Sequence, residues 1–329
     1  MPHTMPGTVV AGLDLPISSL ALGTMTFGDT VDAAGAAAMV DAALEAGITV
    51  IDTANAYVGG ATEEVLAPLL AGRRDRVILA SKAGMPHPDA GEHAPLSAPA
   101  LRASLEGSLR RLDTERIDLY YLHKPDRETP LDETLTTIAE LVRAGKIGAL
   151  GVSNYAAWQI SELNQVADAV GAPRPVVAQQ LYNLVARRIE EEYLEFASTS
   201  GLHTMVYNPL GGGLLTGKHS FTETPGEGRF GSSDLSAIYK ERYWDQQLFS
   251  AIATLGVIAD DANIPLVELS FRWLISQSVV GSILLGGSHT AQLEANIRAA
   301  AQGPLPDDVL TACDAVGRAL RGPMPAYNR

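Results

Sequence analysis

Short apolar runs and helical stretches alternate along almost the whole chain, and the runs number eight. Glycines stand repeatedly where a helix would stop, a few residues before the next run. Together these observations predict an α/β fold, a (β/α)8 TIM barrel, because eight parallel strands close on themselves without leaving an edge to cover. The 329 residues, 46% of them hydrophobic, suffice for one large core, so a single domain over 1–329 is expected.

In chain order, strands are expected over 20–23, 49–51, 77–80, 117–122, 148–152, 176–179, 203–206 and 281–285, all rich in Ile, Val, Leu or Tyr. Helices are expected over 33–46, 63–70, 98–112, 131–144, 158–170 and 188–199, then in a long helical region before the last strand. A further helix over 306–319 is an addition to the barrel. Gly47, Gly145, Gly171 and Gly201 fit left-handed helix ends, and Thr129 or Asp132 can cap the helix at 131. Segments 83–95 and 219–233 lack a periodic pattern and are read as long βα loops, which in a barrel build the binding site.

A net charge of −14, with the acidic residues scattered, argues against nucleic acid or an anionic membrane as partner. One cysteine, Cys313, gives neither a disulfide framework nor a thiolate metal site, and a cytoplasmic location is the expectation. Residues 1–7 lack a signal-peptide pattern, and no apolar run reaches the roughly 18 residues of a membrane span. His87 and His93 sit in the Pro-rich loop without partners at ligand spacing, so they are read as solvated and no metal is expected. Trp158, Trp244 and Trp273 are read as packing residues.

Four ionisable residues follow apolar runs directly: Asp52 and Tyr57 in IDTANAY, Lys82 in ASKAG and His123 in YYLHKPD. Four strand ends could bring them to one point and form a proton-transfer site. A tyrosine, with a free pKa of about 10, donates a proton near neutrality only if a cation stabilises the phenolate. Lys82 can be that cation, Asp52 can keep it charged, and His123 can orient a carbonyl oxygen. No Gly-x-Ser-x-Gly turn or reactive cysteine offers a nucleophile, so a bound hydride donor is implied. The triplet Gly211 to Gly213 is no dinucleotide fingerprint, and close backbone approach to phosphate is the reading preferred for it.

These strings resemble the aldo-keto reductase family, over about residues 20–296, in which Asp52, Tyr57, Lys82 and His123 fall in order on the catalytic tetrad. Within it, GVSNYAAW, YNLVARRIEEEY, NPLGGGLLTGK and LLGGSHTAQLEAN are most similar to the aflatoxin-aldehyde and succinic-semialdehyde reductase branch. The resemblance implies reduction of aldehydes or ketones with NADPH, NADH being the alternative cofactor, and a homodimer.

For the cofactor it implies Gly23, Thr24 and Met25 beneath the nicotinamide, Asp52 beside it, and Ser153, Asn154 and Gln179 at its carboxamide. Tyr207 would stack on the ring, and Asn208, Leu210, Gly212 and Lys218 would follow the pyrophosphate. Arg229 and the adenosine-end residues Ser288, Gln292 and Asn296 complete that set. Substrate-pocket walls are expected from Met25, Phe27, Tyr57, Met85, His123, Lys124, Tyr155, Phe230 and Arg329. Asp29 and Thr30 stand where the branch carries two arginines, which argues against a preference for carboxylate-bearing aldehydes. Two other roles fit the same tetrad: dehydrogenation of an alcohol or sugar, and a slow, cofactor-bound partner or sensor role like that of potassium-channel β subunits.

Overall fold

A computed structural model of the protein describes residues 5–223, 225–233 and 236–325. It opens with a small antiparallel hairpin, β1 (Gly7–Thr8) and β2 (Ile17–Ser18), that the sequence did not announce. The two strands are only two residues long, and β1 is exposed, so they carry no alternation to read. The hairpin nevertheless seats Val10 and Ile17 in the buried cluster formed by Ala21, Val50, Ile78, Leu119, Val177 and Met205.

Eight parallel strands then close a barrel: β3 (Leu20–Gly23), β4 (Val50–Asp52), β5 (Ile78–Ala83), β6 (Ile117–Leu122), β7 (Ile147–Ser153), β8 (Val177–Leu181), β9 (His203–Tyr207) and β10 (Val280–Leu285). The order around the barrel is β10-β3-β4-β5-β6-β7-β8-β9, so the (β/α)8 expectation holds. Helices follow the strands: α1 (Ala33–Glu45), α2 (Ala61–Leu70), α3 (Ala98–Arg111), α4 (Leu131–Arg143), α5 (Ala157–Val170) and α6 (Tyr193–Ser200). Between β9 and β10 lie α7 (Ser236–Tyr243), α8 (Gln246–Asp261) and α9 (Leu266–Ile275), and after β10 come α10 (Thr290–Ala300) and α11 (Asp307–Arg321). No single helix among the described residues is long and apolar enough to cross a membrane.

The chain divides into two compact units. One comprises the described residues up to Gln180 with Glu195–Met205 and Gly281–Glu294, and the other Leu181–Leu194, Val206–Val280 and the described residues from Ala295 onward. In the first unit, register sets Gly23 beside Asp52, Asp52 beside Ala80, Lys82 beside Tyr121 and Ser153 beside Gln179, all toward the carboxyl ends of their strands.

Local chemistry explains where the elements start and stop. The carboxylate of Asp32 accepts from Gly35 N at 2.8 Å and caps α1. Gly47, Gly145, Gly171 and Gly201 all have positive φ, as their helix-ending positions predict. Neither expected cap serves α4, because the N-cap is Pro130 and the Thr129 hydroxyl donates instead to Asp126 at 2.8 Å. The helix expected over 188–199 is split into a 3₁₀ turn, Arg188–Glu190, followed by α6. There Arg187 and Glu190 pair at i,i+3, a spacing that 3₁₀ geometry brings into line.

Candidate active site

In β5 successive side chains alternate in direction, so Ala80 and Lys82 share one face and Ser81 takes the other. Ala80 lies in the buried cluster within the barrel, and Lys82 continues that face toward the strand's carboxyl end. Its ammonium donates to Asp52 Oδ1 at 2.5 Å, to Thr53 O at 2.9 Å and to Tyr57 Oη at 3.2 Å. Lys82 and Asp52 are both fully buried, whereas Tyr57 is partly exposed. Burial works against the ammonium, but the Asp52 carboxylate and Tyr57 outweigh it and hold the Lys82 pKa above the ordinary lysine value.

The His123 ring stands edge-on to Tyr57, with centroids 6.0 Å apart. Burial, then the positive charges of Lys82 and Lys124, push its pKa down to about 3. The imidazole is therefore neutral near pH 7, with one N–H donor and one bare nitrogen. Its Nδ1 has no hydrogen-bond partner among the described residues. All four residues of the expected tetrad thus gather at one place.

Gln179 joins them in a way the sequence did not indicate. Its Nε2 donates to Asp52 Oδ2 at 2.8 Å, so one carboxylate binds Lys82 with one oxygen and the amide with the other. Only the nitrogen of an amide can donate to a carboxylate, which fixes the orientation of Gln179 and leaves its carbonyl oxygen as an acceptor. Asn154, at φ +63°, donates from Nδ2 to His123 O at 3.0 Å and to Ser153 Oγ at 3.1 Å. The Thr24 hydroxyl donates to Asp52 O at 2.9 Å, tying the turn after β3, which includes Met25, to β4. Tyr155 is buried and its hydroxyl donates to Lys124 O at 3.4 Å. Phe27 is fully buried, whereas Met85 lines a cavity of about 480 Å³ in the loop after β5 together with His87 and His93. His87 is not solvated as expected: it is buried, and its Nδ1 accepts from Asp89 N at 3.1 Å. Near the start of α10, Gln292 Oε1 accepts from Ser288 N and Oγ at 2.9 and 3.1 Å.

In the second unit, Tyr207 ends β9 and Asn208 follows it at φ +57°. Asn208 Oδ1 accepts from Arg229 Nη1 at 3.4 Å and from Tyr239 Oη at 3.3 Å, and Arg229 donates to Tyr239 Oη at 2.6 Å. Leu210 precedes the 3₁₀ segment Gly211–Thr216, in which Gly212 has φ +70°. A Cβ at Gly212 would stand 2.6 Å from the Tyr239 ring, so the glycine makes room for that ring within the protein itself. Lys218 is exposed and Asn296 buried. Phe230 is buried among His219, Trp244 and Tyr239. Trp273 is fully buried, but Trp158 is 57% exposed and not the packing residue expected. Arg329 lies outside the described residues.

Sequence reasoning also missed a second buried charge network. Ser81 Oγ donates to Glu63 Oε1 at 2.6 Å, Arg111 Nε to Glu63 Oε2 at 2.8 Å, and Arg111 Nη1 pairs with Asp89 at 2.9 Å. Glu63 stands in the first turn of α2 and reads as an ordinary dipole-matched carboxylate, so nothing local marked it.

A closed parallel barrel thus carries, at the carboxyl ends of its strands, a buried lysine–carboxylate pair in contact with a partly exposed tyrosine. The chain belongs to the aldo/keto reductase family, whose model matches residues 19–318. It is 36% identical over 320 residues to aflatoxin B1 aldehyde reductase member 2 of Mus musculus, covering 94% of this chain and 87% of that protein. It is 37% identical to aldo-keto reductase family 7 member A3 of Homo sapiens, covering 94% and 96%. It is also 32% identical to a probable voltage-gated potassium channel subunit beta of Oryza sativa subsp. japonica, covering 87% and 88%.

Proposed function

We propose that the protein reduces aldehydes or ketones with NADPH, Tyr57 donating the proton to the carbonyl oxygen. The observation that supports this most directly is the Lys82 ammonium, 2.5 Å from Asp52 and 3.2 Å from the Tyr57 hydroxyl. An ammonium at that distance stabilises the phenolate left after proton donation, and Asp52 keeps the ammonium charged in a buried place. Neutral His123 offers an N–H to the same carbonyl oxygen and aligns it. Tyr57 and His123, the partly exposed members, are the two a substrate can reach.

The residues present fit a nicotinamide. Gln179, its nitrogen committed to Asp52, offers a carbonyl oxygen to a carboxamide N–H, with Ser153 and Asn154 beside it on and after β7. When bound, the reduced nicotinamide supplies the hydride. In the second unit, Arg229 and Asn208 are candidates for phosphate binding. NADPH is preferred over NADH because a 2′-phosphate calls for arginine, and the second unit carries Arg229 and Arg298 in the segments that the resemblance assigns to the cofactor's phosphate and adenosine ends.

The test is steady-state oxidation of NADPH, and of NADH, with 4-nitrobenzaldehyde and succinic semialdehyde. Wild-type turnover abolished in Tyr57→Phe supports the reading, and activity intact in that variant would sink it. The similarity to a channel β subunit favours one second reading, a cofactor-bound partner protein. Tight NADPH binding without multiple turnover on a broad carbonyl panel would select it. Assays in both directions distinguish reductase from dehydrogenase, and sedimentation tests the expected homodimer.

A further inference from the structure

The turn that carries Tyr57 is held in an unusual backbone conformation. Val58, Gly59 and Gly60 are consecutively left-handed, with φ of +49°, +61° and +99°. The other non-glycine residues of positive φ among the described residues are Asp113, Asn154, Asn208 and Asn263, whose short polar side chains tolerate that region. Val58 is β-branched and 43% exposed, so neither its side-chain chemistry nor deep packing accounts for the strain. Such a conformation persists only where its surroundings over-determine it.

Arg111 supplies those surroundings. A Cβ on Gly60 would stand 2.8 Å from Arg111 Nε and 2.9 Å from its Cδ, so the arginine lies directly against the turn's backbone. Nε of the same guanidinium binds Glu63 in the helix that the turn enters, and Nη1 binds Asp89 in the loop after β5. Glu63 in turn accepts from Ser81, the neighbour of Lys82 in β5. The arginine thus joins the Tyr57 turn and α2 to the strand that delivers the ammonium.

We propose that Arg111 is a positioning residue for the reaction: by clamping Glu63 and Asp89 against Gly60 it holds the left-handed turn, and with it the Tyr57 hydroxyl beside Lys82. This rests on the assignment of Tyr57 as proton donor. Arg111 itself touches none of the tetrad's reactive atoms in the contacts described.

The experiment compares Arg111→Lys, Val58→Gly and their combination for the pH profile of kcat, for KM and for thermal midpoint. Lysine keeps the charge but lacks the fork that reaches two carboxylates at once. The expected result for Arg111→Lys is a fall in kcat of about tenfold or more with KM little changed. Its alkaline limb should move upward, because a displaced phenolate loses its ammonium. Glycine adopts a positive φ without strain, so Val58→Gly added to Arg111→Lys should bring the limb back and recover most of kcat. A purely structural arginine predicts the opposite: a lowered thermal midpoint, an unmoved limb and no rescue, and that outcome overturns the proposal.

Should Arg111→Lys not fold, the pair Glu63→Gln with Arg111→Met replaces it, since it removes the fully buried carboxylate together with its cation and leaves only the partly exposed Asp89 without that partner. A wild-type limb and kcat in that pair would equally overturn the idea. Tyr57→Phe in parallel separates the two failures, because activity surviving there removes the proton-donor assignment itself.

Discussion

Ser81 and Lys82 are neighbours on one strand, yet they anchor charge networks of different kinds on opposite sides of the barrel wall. Lys82 joins Asp52, Gln179 and Tyr57, and Ser81 joins Glu63, Arg111 and Asp89. Both are buried and both match carboxylate to cation. They differ in where they end. The inner network reaches a partly exposed phenol beside a largely buried, neutral imidazole, whereas the outer one links an element to an element. Burial and charge alone therefore do not tell the proposed reactive centre from the proposed brace. A path from the buried charge to an atom that a substrate can touch does.

The sharpest way to break this comparison is Tyr57→Phe, which leaves the inner charges in place but cuts their outlet. A loss of about 10²–10⁴ in kcat/KM is expected, with the urea midpoint little altered. Lys82→Met should come next, costing about 3–5 kcal/mol of stability because Asp52 stays buried without its cation. Urea titration across pH checks the sign. The Lys82 pKa is raised in the folded state, so its contribution is fully present below 10.5 and is lost as pH rises through the higher folded value. Wild type should weaken in that alkaline range, and Lys82→Met should lack that component.

Gln179→Leu removes a donor from Asp52 Oδ2 without touching the Lys82 contact. A fall of about tenfold in kcat/KM, together with weaker NADPH binding by fluorescence titration, is expected. Smallest of the four is Ser81→Ala in the outer network. It deletes one hydrogen bond to Glu63 and should cost about 1 kcal/mol in urea unfolding. Activity should fall by less than in Gln179→Leu, because Arg111 still binds Glu63 and Asp89 behind the turn, and an equal loss would move the holding role from Arg111 to Ser81.

Much of this was legible in the chain. Apolar runs before Asp52, Lys82 and His123 marked β4, β5 and β6, because a buried strand needs only a short local string of Val, Ile, Leu and Tyr. Gly47 and Gly171 marked helix ends for an equally local reason. The expectations that failed were those decided by distant partners. His87 looked like a solvated loop residue until Asp89 N and the surrounding loop buried it, and Trp158 looked like a core aromatic until α5 turned it outward. At Gly212 a distant partner, the Tyr239 ring from a later helix, stands where a side chain would project, a reason for the glycine that the local string does not hold. Hairpin β1–β2 was too short to leave any periodic trace.

The residue types of the centre and the strand ends that bear them were settled by sequence alone, since hydrophobic period and helix termination act within a few residues. Tertiary structure decided which oxygen of Asp52 meets Lys82 and which meets Gln179, residues 30 and 127 positions away. It likewise decided that Arg111 braces Glu63, 48 positions distant, behind the turn. Hydrogen-bond geometry between such residues exists only after closure of the barrel brings their strands and helices together, and no local string of residue types encodes an angle or a distance of that kind.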